Sequence, residues 1–282
     1  MGQTTRADVP IKAVLHPTDF SEASTVAFHH ALKVTLLTKS KLSILSIESD
    51  GPEWEDFPGI RETLERWQLL PKGSPRSAVG RLGMDARKII PEYSDPVEAV
   101  LRFLKTHEVD LIVLATHRQE GSLSWFSKSV AQPVARRAEE MTLFLPDGSD
   151  GFVAEADGSV SLQRILIPIA KTPRPQPALQ AAGRLVTGLK CPEGTFTLMH
   201  VGQSATMPRV RLPDIPGWGW NKELRTGDIV QTISDAANET KADLVVMATD
   251  GRSGFLEGLR GSHCERILRQ TGVPLLTVPV IS

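Results

Sequence analysis

The chain has 282 residues, of which 40% are hydrophobic and 23% charged, a composition typical of a soluble globular protein with two domains and unlike that of disordered or fibrous proteins. Its 32 Lys and Arg nearly balance its 33 Asp and Glu, for a formal net charge of -1, which excludes a general electrostatic attraction to nucleic acid. The two cysteines, Cys191 and Cys264, are too few for a disulfide framework or a structural zinc site.

The first half of the chain alternates predicted strands and helices. Strands are predicted at residues 12–16, 42–47, 87–93, 110–116 and 141–145, and helices at residues 21–38, 59–70, 95–107 and 128–138. Ser21 is placed to cap its helix, and Pro96 lies in a first helical turn, where its missing N–H costs nothing.

A polar, turn-rich tract separates the two halves. Residues 147–161 contain three glycines and three aspartates, with Phe152 and Val153 as an apolar anchor. Such composition is typical of a domain boundary. The sequence therefore predicts a first domain at 1–146, a linker at 147–161 and a second domain at 162–282.

The second half repeats the alternation in shorter form. Strands are predicted at residues 164–169, 195–201, 219–224, 243–249 and 274–280, and helices at residues 175–189, 228–240 and 261–271. Residues 203–218 include three prolines and no helical pattern. They predict a loop where the first half has an extra helix, so the middle of the second domain is shortened.

The two halves match in order and spacing, which indicates an internal repeat. Residues 13–19 match residues 164–170 at an offset of 151, and residues 110–116 match residues 243–249 at an offset of 133. Strand and helix alternation with continuous apolar strands predicts parallel sheets covered on both faces. Ligands of such sheets bind beyond the carboxyl ends of the strands, so we expect functional residues after the first and fourth strands of each copy.

The residues at these turns resemble the universal stress protein family. The resemblance is carried by VLHPTDFSE at 14–22, ATDGRSG at 248–254, LRGS at 259–262 and VPLLTVP at 273–279. It implies two tandem doubly wound five-stranded parallel-sheet domains of the Rossmann-like type, paired through their last strands. It also implies a stress-response regulatory protein that binds an adenine nucleotide.

The second copy keeps most of the family's phosphate motif, G-x2-G-x9-G-[ST]. Ala248 replaces the first glycine, whereas Gly251, Gly261 and Ser262 keep the spacing. Glycines let backbone N–H groups approach phosphates, and a helix start adds unpaired N–H donors. The residues expected to bind nucleotide are Pro168, Val201, Met247, Ala248, Asp250, Gly251, Gly261, Ser262 and His263. Glycines that merely shape a tight loop are the structural alternative.

The first copy departs from the motif in a complementary way. It keeps Asp19, which in the family contacts the nucleoside, whereas the second copy has Ala170 at that position. Its loop has Arg118 and Lys128 in place of the two later glycines. We therefore expect a degenerate site, blocked or repurposed, formed by Pro17, Thr18, Asp19, Ala115, His117, Arg118, Lys128 and Ser129.

Catalytic and metal sites are not expected. His16, His117, His200 and His263 lack the spacing of metal ligands, and Cys264 lacks the pattern of a catalytic nucleophile. Weak ATP hydrolysis stays an open alternative. Because no signal peptide or membrane span is recognisable, we expect a cytoplasmic protein without nucleic-acid or membrane partners.

Two functions remain open at this point. One is a nucleotide-binding regulator that holds ATP or AMP, with or without Mg²⁺, in its second domain. The other is a stress-response interaction module that binds an unknown protein partner without nucleotide. We also expect residues 142–145 to pair with residues 275–278 in antiparallel orientation, so that the monomer resembles a dimer. A homodimer of this monomer is a further option.

Overall fold

The computed structural model describes residues 10–46, 57–91, 95–116, 140–250 and 263–280. The strands are β1 (Ala13–Thr18), β2 (Lys41–Ser46), β3 (Asp85–Ile89), β4 (Leu111–Thr116), β5 (Met141–Pro146), β6 (Arg164–Pro168), β7 (Gly194–Val201), β8 (Trp218–Arg225), β9 (Leu244–Asp250) and β10 (Leu275–Val280). The helices are α1 (Glu22–Thr38), α2 (Ile60–Arg66), α3 (Ala78–Arg81), α4 (Pro96–Thr106), α5 (Gln176–Gly188), α6 (Ile229–Glu239) and α7 (His263–Thr271). We call β1–β5 with their helices the first half and β6–β10 with theirs the second half.

All of these strands join one sheet, in the order β3-β2-β1-β4-β5-β10-β9-β6-β7-β8. Neighbours within each half are parallel. The halves meet at β5 and β10, which run antiparallel with Leu276 opposite Leu143. The doubly wound fold and the pairing through the last strands are therefore confirmed.

The sheet has a hydrophobic layer on each face, because successive side chains of a strand point to opposite faces. Val14 and Ile165 lie in the layer that packs against α1 and α5, whereas Leu15 and Leu166 lie in the layer on the other face. Both layers contain residues from both halves. The two halves consequently share their cores.

The repeat is visible in the strand register. Val14 lies opposite Leu111 in the first half, and Ile165 lies opposite Leu244 in the second. These pairs reproduce the offsets of 151 and 133 that the sequence shows.

An aspartate before the fourth strand of each half accepts hydrogen bonds from the chain that enters the first strand. In the first half, Asp110 Oδ2 accepts from the backbone N–H groups of Lys12 at 2.8 Å and Ala13 at 3.0 Å. In the second half, Asp243 Oδ2 accepts from those of Gln163 at 2.9 Å and Arg164 at 2.8 Å. Each carboxylate therefore ties the starts of two neighbouring strands together.

Side-chain caps start α1 and α4, and the cap at Ser21 is the one that the sequence predicts. Ser21 Oγ accepts from the backbone N–H of Ser24 at 3.1 Å, at the start of α1. Asp95 Oδ1 accepts from the N–H of Glu98 at 2.7 Å, at the start of α4. Such caps satisfy donors that a helix leaves unpaired.

Several predicted bounds need correction. The helix predicted at 59–70 ends at Arg66, because Gln68 adopts a left-handed φ of 59° that breaks the helix. The strand predicted at 87–93 lies at Asp85–Ile89, and the loop at 203–218 contains a short 3-10 turn, Ser204–Thr206. The helix predicted at 128–138 lies outside the described residues. In the described part of the chain, no helix is both long and apolar enough to cross a membrane.

The tract at 147–161 packs against the first half. Phe152 and Val153 are buried, and Val153 forms an antiparallel bridge with Val160. Nε2 of His30, on α1, accepts hydrogen bonds from the backbone N–H groups of Phe152 at 2.9 Å and Val153 at 3.1 Å. The segment is therefore folded onto the first half.

Candidate functional site

A cavity of about 450 Å³ lies at the carboxyl ends of β6, β7 and β9. Strand β6 is the switch point of the second half, since it pairs with β7 on one side and β9 on the other. Ligands of open parallel sheets bind at such points. Six of the predicted nucleotide-binding residues line the cavity: Pro168, Val201, Met247, Ala248, Asp250 and His263.

The turn after β6 forms one wall of the cavity. The backbone N–H of Ile169 donates to the Met199 carbonyl at 2.8 Å, so pairing with β7 continues one residue beyond the strand. Ala170 follows, exposed and lining the cavity. It presents a methyl group where the first copy has the carboxylate of Asp19, so this wall offers no side-chain acceptor at that position.

His200 holds this turn in place, and sequence reasoning assigned it only a structural role. Its Nδ1 is 2.9 Å from the Ile169 carbonyl, to which it donates, and its Nε2 is 2.9 Å from Thr206 Oγ1. Both ring nitrogens are therefore used within the fold. His200 acts on the cavity through Ile169, as a positioning residue.

The polar end of the cavity lies where the chain leaves β9 and enters α7. Asp250 is the last residue of β9 and His263 the first of α7, and both line the cavity. Gly251, Gly261 and Ser262, predicted to bind phosphates, lie between them and outside the described residues. Their role stays a prediction, although the chain flanking them is at the cavity.

Cys264 also lines the cavity, with its Sγ 4.0 Å from Met247 Sδ. Burial raises the pKa of this thiol to about 12, so it stays protonated near neutral pH. A protonated thiol is a poor nucleophile. The side chain therefore serves as part of the apolar wall.

The turn after β1 has a different chemistry. Asp19 Oδ1 accepts hydrogen bonds from the Ser21 N–H at 3.1 Å, from Ser21 Oγ at 2.7 Å and from Ser24 Oγ at 2.5 Å. This oxygen is thus engaged in starting α1. Thr18 is buried, with its Oγ1 accepting from the Phe20 N–H at 3.1 Å.

The remaining predicted residues of the first copy divide into two groups. Pro17 and Ala115 lie on β1 and β4, which are neighbours in the sheet. The others lie outside the described residues: His117, Arg118, Lys128 and Ser129. Their proposed blocking of a phosphate position stays a prediction.

An aromatic group that sequence reasoning missed fills the space beside β1. The Phe57 ring stacks on His16 with centroids 6.2 Å apart and meets Phe28 edge-on at 5.1 Å. His16 is fully buried; its Nδ1 donates to the Val113 carbonyl at 3.0 Å, and burial lowers its pKa to about 4. The second half has Ile167 at the position of His16. The first half therefore has an aromatic cluster where the second half has an aliphatic side chain at the aligned position.

Comparisons with known proteins agree with this fold. A family model described as Universal stress protein family matches residues 10–146 and 219–279. A universal stress protein of Methanocaldococcus jannaschii is 32% identical over 81 residues, which are 29% of this chain and 48% of that relative. The chain thus spans about half the length of that relative.

Two solved structures resemble the whole chain. A universal stress protein from Archaeoglobus fulgidus has a TM-score of 0.60 at 18% identity, over 95% of this chain and 98% of its own. A functionally unknown protein from Pseudomonas aeruginosa has a TM-score of 0.59 at 14% identity, over 95% of this chain and 92% of its own. At these identities the similarity concerns the fold alone.

Proposed function

Because the chain belongs to the universal stress protein family, we propose that it is a regulatory protein that binds one adenine nucleotide, ATP or AMP, in the second-half cavity. The observation that carries the proposal is the convergence of six predicted residues on one cavity at the switch point of the sheet. A volume of about 450 Å³ lies in the range of small-molecule sites, roughly 300–1,000 Å³.

The chemistry of the walls suits a nucleoside. Val201, Met247 and Ala248 provide apolar surface for a flat base, and burial of such surface is the main driving force for binding an aromatic ring. Asp250 and His263 form the polar end of the cavity. They flank the segment of the chain that carries Gly251 and Gly261. In this arrangement the base lies against the strands and the phosphates lie toward the predicted glycine loop.

The site is proposed to bind rather than to catalyse. Among the described lining residues, the titratable side chains are Asp250, His263 and Cys264, and the thiol stays protonated. Asp250 is a carboxylate of the kind that Mg²⁺ prefers, so a magnesium ion carried with ATP has a protein ligand available at the phosphate end.

Release of bound nucleotide tests the proposal directly. The purified full chain is denatured, and the supernatant is analysed for ATP and AMP. In parallel, the melting temperature is measured with and without added ATP, since a ligand that binds the folded state alone raises it. We expect either released nucleotide or a rise in melting temperature that grows with ATP concentration.

The opposite result supports the second function. If no nucleotide is released and ATP leaves the melting temperature unchanged, the chain is an interaction module. The observation in its favour is that Ala170 replaces the aspartate in the second half, whereas in the first half Asp19 Oδ1 is engaged by Ser21 and Ser24 at the start of α1.

A further inference from the structure

Two neighbouring histidines on α1 hold the tract that joins the two halves. We call residues 151–161 of this tract the strap. Nε2 of His30 accepts hydrogen bonds from the backbone N–H groups of Phe152 at 2.9 Å and Val153 at 3.1 Å, and the His30 and Phe152 rings meet edge-on with centroids 4.6 Å apart. Gly151, at a φ of 64°, comes so close to this nitrogen that an added Cβ would collide with it. The backbone of the strap is therefore fitted to the His30 ring.

His29 holds the same strap through α2. Its Nε2 accepts a hydrogen bond from Nη2 of Arg66 at 2.9 Å, and Nη1 of Arg66 lies 3.2 Å from Glu155 Oε1 in the strap. Trp67 Nε1 donates to the backbone carbonyl of Glu155 at 3.0 Å. The position of Arg66 against the strap therefore depends on the acceptor that His29 offers.

The direction of these hydrogen bonds requires both rings to be neutral. Backbone N–H groups and the guanidinium of Arg66 can only donate, so Nε2 of each histidine is the acceptor. Nδ1 of His30 lies 2.8 Å from the Val26 carbonyl and therefore carries the proton of that ring. An imidazolium has two donors and no acceptor. Protonation of either ring would thus set one N–H against another and break the contact.

The surroundings also disfavour a positive charge on either ring. Both histidines are buried, and burial lowers the pKa of each to about 4; the charge of Arg66 acts in the same direction on His29. The charged and titratable groups around the two rings come from β1, α1, α2 and the strap: His16, Lys33, Arg66, Glu155 and Asp157. Glu155 pairs with Arg66, and the charge of Asp157 acts on Lys33. The two rings are therefore neutral at neutral pH.

We propose that His29 and His30 form an acid-sensitive switch, in which protonation of the two rings releases the strap from α1 and α2 while the sheet stays folded. The strap lies outside the sheet, and its bridge joins its own Val153 and Val160. Its release therefore breaks no pairing between the strands of the sheet. It uncovers the side chains of Phe152 and Val153, which are buried under neutral conditions. The switch is independent of nucleotide binding in the second half.

The pH range of the switch follows from the protonation of the released rings. A histidine in water has a pKa near 6.5, whereas the pKa of His29 and His30 beneath the strap is about 4. The strap is therefore held fully above pH 6.5. Its release equilibrium rises as the pH falls from 6.5 toward 4, by up to about tenfold per pH unit for each histidine.

Hydrogen exchange of the full chain, followed by mass spectrometry between pH 7 and about pH 4.5, measures the release. Exchange rates are divided by the intrinsic rate at each pH, so that protection alone is compared. We expect the protection of peptides from the strap to fall by about tenfold or more per pH unit below pH 6.5. Peptides from β5 and β10, which pair at the centre of the sheet, should keep more of their protection.

Glutamine replaces each histidine in the test variants, because its side-chain oxygen accepts hydrogen bonds and does not titrate. His30→Gln is expected to reduce the pH dependence of strap protection by up to about tenfold per pH unit, and the double variant with His29→Gln to remove nearly all of it. His107→Gln is the matched control. It removes a histidine from the end of α4, where the ring stacks on Phe103, and should keep the wild-type dependence.

The carboxylate of the strap needs a control of its own, since acid also protonates carboxylates. Glu155→Gln removes the charge that pairs with Arg66 and leaves both histidines in place. We expect this variant to keep the pH dependence of the wild-type strap. Equal melting temperatures at pH 7.5 verify that each variant is folded.

Three results would overturn the proposal. The first is strap protection that stays constant between pH 7 and about pH 4.5 in the wild-type chain. The second is that the strap and the β5–β10 pair lose protection with the same pH dependence, which would mean that acid unfolds the whole chain. The third is that the double histidine variant keeps the dependence while Glu155→Gln loses it, which would assign the effect to the carboxylate. The wild-type chain alone decides the first two.

Discussion

The two halves differ chemically at one pair of aligned positions, residues 19 and 170. Asp19 follows β1 and is held by Ser21 and Ser24, whereas Ala170 follows β6 and lines an open cavity. The turn after the first strand thus carries the acceptor in one copy and a methyl group in the other. At the residue scale, the second half has the space for a nucleoside without the carboxylate that the family uses to contact it.

Restoring the carboxylate tests this interpretation. Ala170→Asp is expected to tighten both ATP and adenosine by roughly ten- to a hundredfold, because a charged acceptor gains a hydrogen bond from the ligand. Calorimetric titration measures both affinities. Ala170→Leu, which adds bulk without an acceptor, should not tighten binding. Unchanged affinity for both ligands in Ala170→Asp would mean that the nucleoside does not lie at residue 170.

At the scale of elements, much of the fold is readable from the sequence because the signals are local. Continuous apolar runs predict strands buried on both faces, whereas Ser21 as a cap and Pro96 in a first turn predict where two of the helices start. The four-residue helix α3 is too short to show a period. The packing of residues 147–161 on α1 is also unreadable, because His30 reaches its partner across a separation of 122 residues.

The residues near the first and sixth strands also divide into those that the sequence can predict and those that it cannot. Pro168, Met247 and Asp250 could be predicted because they align with a strand end or turn of the other copy. Phe57 could not, since it lies between β2 and α2, where the repeat has no counterpart. A contact such as its stacking on His16 depends on the path of a loop that the sequence pattern does not specify.

Asp110 and Asp243, which tie the starts of neighbouring strands together, are expected to stabilise the fold. Asp243→Ala removes the acceptor of two backbone N–H groups and of the Arg164 ion pair, and we expect a loss of about 1–3 kcal/mol in the free energy of unfolding. Asp110→Ala should cost a similar amount. Urea denaturation measures both, with Glu108→Ala, an exposed neighbour of Asp110, as control. Losses no larger than that of the control would show that the carboxylates do not hold the strands.

At the scale of the whole molecule, the antiparallel pairing of β5 with β10 joins two five-stranded halves into one sheet with shared cores. We propose that residues 1–146 and 162–282 are nonetheless two domains in origin, joined by 147–161. The first half also buries a group of histidines. His16, His29 and His30 are buried in the first half, all three on β1 or α1.

These histidines predict a dependence of stability on pH. Burial, aided for His29 by the charge of Arg66, lowers the pKa of each from 6.5 to about 4. The folded chain keeps them neutral, whereas the unfolded chain protonates them below about pH 6.5. Their stabilisation is therefore present above pH 6.5 and is lost as the pH falls toward 4, by up to about 1.4 kcal/mol per pH unit for each histidine.

Urea denaturation at a series of pH values measures this dependence. His30→Gln removes one titrating group and should reduce the slope between pH 6.5 and 4 by about one proton. An unfolding free energy that stays constant over this range would contradict the buried neutral histidines. An unchanged slope in His30→Gln would show that His30 does not contribute to the pH dependence, and would leave the contributions of His16 and His29 in place.

The number and place of the ATP sites test nucleotide binding in the second-half cavity. ATP is titrated calorimetrically into the full chain, into Gly261→Lys, which copies Lys128 into the second half, and into Glu108→Lys, which introduces a lysine elsewhere. We predict one ATP per chain, lost in Gly261→Lys and retained in Glu108→Lys. Two sites per chain, or one site whose affinity is unchanged in a folded Gly261→Lys variant, would contradict nucleotide binding in the second-half cavity.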